Sequence, residues 1–153
     1  MGLMAPLAKL PPPLVWAVSL GGAALATWFA APLQRVWFRA PWLAAGVALA
    51  TLAGMGWATR EFRRRRTTIL PLRQPTSLLC HGPFRFSRNP LYLGMLVLAV
   101  VPWLAWGHLG LLFAPVPFFA FVNGVIIPYE EAKLRELFGP DYAAYCRRVR
   151  RWL

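Results

Sequence analysis

Apolar residues in this chain arrive in blocks, and the blocks are close to bilayer length. Four runs stand out: Leu14 to Ala31, Trp42 to Ala58, Leu91 to Trp106 and Leu109 to Pro128. Each approaches the ~20 residues that span a hydrocarbon core. The first follows a Pro11-Pro12-Pro13 stop, and the second follows Pro41, which suits the first helical position. A short Gly107-His108 corner separates the third run from the fourth, so these two are expected to form a tight antiparallel hairpin bent by Pro102, Pro115 and Pro117. Prolines are tolerated in such helices because neighbours satisfy the freed carbonyls. The pattern predicts one all-α integral membrane domain over residues 1–153, with about four transmembrane helices at 14–31, 42–58, 91–106 and 109–128. Short cytosolic amphipathic helices complete it.

Composition sharpens this picture. Of the residues, 58% are apolar and 14% charged, against a usual charged share of about a quarter, and the mean hydropathy is +0.48. Disorder is excluded, and a water-soluble globule does not fit. The formal charge is +12 and the isoelectric point 11.4. Because Lys and Arg collect between and after the apolar runs, anionic headgroups account for them and no nucleic-acid partner is implied.

Lys9, Arg60, Arg63 to Arg66, Arg73, Arg85, Arg88, Lys133, Arg135, Arg147, Arg148, Arg150 and Arg151 share one side if both termini do, leaving Arg35 and Arg39 on the other. The positive-inside rule makes that side cytoplasmic, in the inner or cell membrane. Trp28, Trp37, Trp42, Trp103 and Trp106 then mark the outer interface, and Trp16, Trp57 and Trp152 the inner one. Cys80 and Cys146 lie far apart without a CxxC or a zinc spacing, so they are read as free thiols, and no metal site is expected.

Gly46, Ala50, Gly54 and Ala58 form a small-xxx-small ladder on the second helix, with a weaker one at Ser19, Ala23 and Ala31. Intramolecular helix packing is the favoured use of these faces over a dimer interface, which leaves the oligomeric state open and a monomer admissible.

Two hydrophilic stretches carry the candidate chemistry, the cytosolic loop 60–90 and the C-terminal segment 129–153. In the first, Asn89-Pro90 suits a helix start, with Asn89 as N-cap and Pro90 at N1. In the second, Gly139-Pro140 ends a short helix. Tyr142, Tyr145 and Val149 then recur at helical spacing beside arginines, as in a basic helix lying on a membrane surface. Glu130 and Glu131, two of only five acidic residues, stand where the fourth run leaves the membrane. Acids at that depth need partners. Either they pair with loop arginines, or one binds a cationic or polyhydroxylated ligand while the other is structural.

Gly82-Pro83-Phe84-Arg85-Phe86-Ser87-Arg88-Asn89-Pro90-Leu91-Tyr92-Leu93-Gly94 is followed one hairpin later by Glu130-Glu131-xx-Leu134-xxx-Phe138-Gly139-xx-Tyr142-xx-Tyr145-xxxx-Arg150-xx-Leu153. This pair of motifs resembles the isoprenylcysteine carboxyl methyltransferase family, itself similar to phospholipid N-methyltransferases. The resemblance covers roughly Leu70 to Leu153. It implies a membrane methyltransferase that uses S-adenosylmethionine without a Rossmann domain, the cofactor at the cytosolic helix ends, and a lipid-like or prenylated acceptor admitted from the bilayer. Carried over by position, it places cofactor contacts on Thr76, Ser77, Leu78, Leu79, Phe84, Asn89, Pro90, Leu91, Tyr92 and Glu130.

Catalytic roles fall to Arg85 or Arg88, holding an anionic group, and to Glu131, the first candidate for a base if the acceptor is an ammonium; Tyr92 and Tyr129 are the others. Phe84 and Tyr92 would face the sulfonium. Two departures stand out. The family box commonly has His at the position of Asn89, and the animal enzymes have a carboxylate-binding Arg where this chain has Ile126 and Ile127. The alternatives are a phospholipid headgroup N-methyltransferase, an NADPH-dependent sterol-reductase-like enzyme and a small four-helix transporter.

Overall fold

A computed structural model describes residues 7–8, 10–30, 36, 38–65 and 76–153. Lys9, Ala31, Arg35 and Trp37, together with residues 66–75, which include Arg66 and Arg73, lie outside the described residues.

The described chain is helical. Helix α1 spans Pro12–Ala30 and α2 spans Pro41–Arg64. A 3-10 turn at Gly82–Arg85 leads to α3, Pro90–Trp106. A second 3-10 turn at Leu109–Phe113 opens α4, Pro115–Phe121, which passes through a π segment at Val122–Ile126 into α5, Ile127–Arg148. Pro41 and Pro90 begin α2 and α3 as expected, since a first-turn proline gives up an N–H with no helical partner.

Two helix ends differ from the sequence reading. Helix α2 continues past Ala58 through Arg64, with Arg63 and Arg64 in its last turn, where cations complement the helix dipole. The fourth run does not stop at Pro128. Proline there can neither donate to the Gly124 carbonyl nor avoid its bulk, and the wider π turn just before it lets the helix carry on. The break comes at Gly139 (φ 43°, ψ −116°), ahead of Pro140.

Three helical stretches are long and apolar enough to cross a membrane: Pro12–Ala30, Pro41–Arg64 and the run Leu109–Arg148; the apolar α3 is shorter. Large apolar side chains face outward, among them Trp28, Phe29 and Trp42 at 78%, 80% and 89% exposure. Water would penalise such a surface, whereas lipid accommodates it.

Helix α2 packs chiefly along α3, while α1 packs on the Leu109–Phe113 turn and α4. Gly107 closes α3 in the left-handed region (φ 76°), its N–H donating to the Trp103 carbonyl at 2.7 Å. A Cβ on it would lie 2.2 Å from the Phe38 carbonyl oxygen, so only glycine fits. At the same end Val36 bridges His108, and the Ala40 N–H donates to the Leu104 carbonyl at 2.9 Å. Every residue with candidate chemistry sits at the opposite end.

The small-residue ladder of α2 is corrected by its neighbours. Gly46, Ala50 and Gly54 point outward, and a Cβ on either glycine would meet nothing within 4 Å. Of the four, only Ala58 is buried. The packed face runs through Ala44, Thr51, Met55 and Ala58, and the close approach comes from the other side: a Cβ on Gly94 would lie 2.5 Å from Met55 Cγ. Phe118, Val122, Ile126 and Ile127 build the main core with Met95, and Trp16 donates its indole N–H to the Met95 carbonyl at 2.7 Å.

The last helical turns also depart from expectation. Tyr142, Tyr145 and Val149 are buried against Leu78, Cys80, Leu134 and Phe138. The apolar face read as membrane-seeking is covered by the chain's own loop.

Candidate functional site

Starting α3 at Pro90 places Tyr92 in its first turn, and restarting the helix after the π segment places Glu130 in the first turn of α5. The two meet: Tyr92 donates its hydroxyl to Glu130 Oε1 at 2.9 Å. A phenol donating to a carboxylate is a charge-assisted bond, which fixes the rotamer of both groups.

Glu131, one residue on, faces inward and is 4% exposed. Arg151 embraces it with two bonds, Nε to Oε1 at 3.1 Å and Nη2 to Oε2 at 2.8 Å. Arg88 Nη2 lies 3.1 Å from Oε1, and Arg135 Nη2 lies 3.3 Å from Oε2. Both carboxylate oxygens are therefore already engaged, and the cluster carries an excess of positive charge. Its three guanidiniums are not equivalent: the side chains of Arg88, Arg151 and Arg135 are 14%, 33% and 58% exposed. The bonds that Arg151 donates to Glu131 raise its pKa above the ordinary value.

Arg88 is used up by its surroundings. Beyond Glu131, it donates through Nη1 to Cys146 Sγ and makes a long 3.5 Å contact with the Tyr142 hydroxyl.

The C-terminal residues close the arrangement. After Val149 leaves the helix, the Arg150 carbonyl accepts from the Arg88 N–H at 3.0 Å. The Arg151 carbonyl accepts from Asn89 Nδ2 at 2.9 Å and from the Ser87 hydroxyl at 3.3 Å. Asn89 therefore occupies the N-cap position without capping: its side chain holds the tail, and its own N–H donates to Ser87 Oγ at 3.1 Å. On the far side of the tail, Asn123 Oδ1 accepts from Arg151 Nη1 at 3.3 Å and from the Trp152 indole at 3.1 Å. The Trp152 ring rests 5.3 Å from that of Phe119.

The remaining residues singled out from sequence spread around this centre. Phe84 is buried with its ring edge-on to Phe62, centroids 5.5 Å apart, and its carbonyl accepts the Tyr145 hydroxyl at 2.8 Å. Leu78 and Cys80 pack on the Tyr142–Tyr145 cluster, where burial raises the Cys80 thiol and the nearby Arg148 partly offsets it. Leu79, Pro90 and Leu91 are half-buried and Thr76 is exposed. The Ser77 hydroxyl is buried with no hydrogen-bond partner. Arg85 is exposed and turns toward the end of α2.

Arg88, Asn89, Tyr92, Glu130 and Glu131 are thus drawn into one cluster. Contributors outside the set of site residues that the sequence picks out include Ser87, Asn123, Arg135, Tyr145, Cys146 and Arg151. Asn123 does leave a signal, being a lone amide inside an apolar run. Comparison of the chain with protein-family models, with characterised proteins and with solved structures finds no match.

Proposed function

We propose that this chain is a membrane-embedded methyltransferase that passes a methyl group from S-adenosylmethionine to a lipid-like acceptor. One observation carries the reading. The two sequence motifs that together resemble the methyltransferase family lie a hairpin apart in sequence and interlock in space, through Tyr92 with Glu130 and Arg88 with Glu131. In this reading α3 and the α4–α5 run complete a set of four membrane segments. The arginine-rich end faces the cytoplasm of the cell membrane together with both termini.

The donor set suits such a cofactor. Glu130 can accept from ribose hydroxyls or an ammonium group, and the buried, unpartnered Ser77 hydroxyl is a further polar group in the carried-over set. The cofactor, when bound, supplies an activated methyl on a sulfonium, so the protein's task is to hold, orient and exclude water. Tyr92 orients Glu130. Glu131, with both oxygens held by arginines, positions α5 against the loop rather than accepting a proton. Arg88 is committed to the same cluster, and Arg85 turns away from it toward the end of α2. With Glu131 so engaged, an acceptor that needs no base, a carboxylate or thiolate, is favoured over a phospholipid ammonium.

The test compares Glu130→Gln with Glu136→Gln. Glu136 is exposed on α5, so its loss should leave cofactor affinity near wild type. Losing a charged hydrogen bond to a buried ligand costs about 2–5 kcal/mol, so Glu130→Gln should raise the Kd for S-adenosylhomocysteine on the order of thirtyfold or more. Two folded variants that both bind like wild type would make Glu130 a structural partner of Tyr92 only.

A further inference from the structure

A second concave feature lies at the same end of the bundle, apart from the Glu131 cluster. It is a cleft of about 670 Å³ between the end of α2 and the 3-10 turn that precedes α3. Trp57 and Phe86 supply aromatic walls, and Arg64, Arg65 and Arg85 supply cations. The cleft is built from segments distant in sequence, and the two are closely fitted. Gly82 takes the left-handed conformation (φ +59°), and a Cβ on it would lie 3.1 Å from Trp57 Nε1 and 3.2 Å from Glu61 Cγ. The carboxylate in the lining, Glu61, is 8% exposed and is paired with Arg64 at 3.4 Å. That pair consumes one negative charge and anchors Arg64 at its base, while the Arg64 side chain stays 70% exposed. Positive charge therefore remains in excess at the mouth of a cleft whose aromatic walls are themselves open, Trp57 at 49% and Phe86 at 66%.

Arginines lining a cleft beside exposed aromatic rings fit one kind of ligand. The cations match the planar, bidentate demands of phosphate oxygens, and Trp at a membrane boundary covers the glycerol and first acyl carbons below a headgroup. A soluble anion would use the arginines and leave the rings idle. We propose that this cleft is a binding site for the phosphate-bearing headgroup of an anionic bilayer lipid, distinct from the Tyr92–Glu130 centre. The inference does not depend on the methyltransferase reading.

The experiment titrates the full chain in dodecylmaltoside with dihexanoyl phosphatidic acid, read by calorimetry. Wild type should show saturable binding. Each basic residue facing an anionic lipid contributes roughly a fivefold affinity factor, so Arg64→Gln with Arg85→Gln should weaken binding on the order of 25-fold. Arg147→Gln with Arg148→Gln removes the same charge from exposed positions of α5 outside the cleft and should change it by less than about threefold. Arg65→Gln with Arg85→Gln spares the Glu61 pair and should reproduce the loss without disturbing the fold. Dihexanoyl glycerol, which lacks the phosphate, should bind at least tenfold more weakly than the phosphatidic acid. Equal losses in the cleft and control double variants would reduce the effect to general surface charge and overturn the site. Dihexanoyl glycerol binding as tightly as the phosphatidic acid, or inorganic phosphate binding as tightly as the lipid, would overturn it as well.

Discussion

Replacing Glu131 with Gln keeps the side-chain volume and removes the one negative charge that three arginines share. The cost depends on how deeply each arginine is held. Arg135 is more than half exposed at 58%, so water takes over its solvation and its share of the pairing is worth about 0–1 kcal/mol. Arg88, at 14%, has no such recourse; its Nε already lacks a partner, and Nη2 would lose the carboxylate. Arg151 would keep Asn123 but exchange a two-bond carboxylate clasp for, at best, a neutral amide. Removing one partner from a buried pair costs about 3–5 kcal/mol because the remaining charge is stranded.

Arg151→Ala should be milder, about 1.5–3 kcal/mol for charged hydrogen bonds, because Glu131 retains Arg88 and Arg135. Arg135→Ala should fall within about 1 kcal/mol of wild type. The assay is thermal unfolding of the three variants in one detergent, followed by tryptophan fluorescence. The expected order of midpoint depression is Glu131→Gln, then Arg151→Ala, then Arg135→Ala, with the first falling by on the order of 10 °C. A Glu131→Gln midpoint no lower than that of Arg135→Ala would refute the view that this cluster is the joint holding loop, tail and α5 together.

Three further outcomes are expected. Gly107→Ala, at positive φ and against the Phe38 backbone, should cost about 2–4 kcal/mol, whereas Gly94→Ala, at an ordinary helical φ and clashing with side-chain atoms of Met55 rather than backbone, should cost less; equal losses in unfolding measurements would contradict the corner geometry. Tyr145→Phe removes the donor to the buried Phe84 carbonyl and should lower stability by about 1–3 kcal/mol, and a neutral result would contradict that bond. Because burial raises the Cys80 thiol, its alkylation rate in a Cys146→Ala background should still be climbing through pH 9.0; a plateau reached well below that pH would argue for an exposed thiol.

Much of the scaffold is written in local chemistry, and local chemistry is readable from sequence. Pro41 and Pro90 mark helix starts because a first-turn proline loses nothing, Gly107 marks a corner, and Gly139 marks the last break. The scarcity of acids likewise makes Glu130 and Glu131 conspicuous, and a pairing with loop arginines is one of the two roles open to them. The features that sequence does not disclose depend on distant partners. The ladder at Gly46, Ala50 and Gly54 has a helical period, but period alone does not say which of two faces meets α3; the partner's own glycine, Gly94, decides that. Tyr142, Tyr145 and Val149 have the spacing of a membrane-surface helix, and the same spacing serves to pack on Leu78 and Cys80. Asn89 has the right type and place for an N-cap, yet the Arg151 carbonyl claims its amide. The π segment has no sequence code, so Asn123 stands out in the chain as an anomaly without pointing to its partner.

Methyltransferase and reductase chemistry part company most directly in calorimetric titration of the purified full chain in detergent with S-adenosylhomocysteine and, separately, with NADPH. Saturable heat of binding is expected with S-adenosylhomocysteine and none with NADPH under the same conditions. Binding of NADPH without binding of S-adenosylhomocysteine would contradict the methyltransferase reading and move the chain to reductase chemistry.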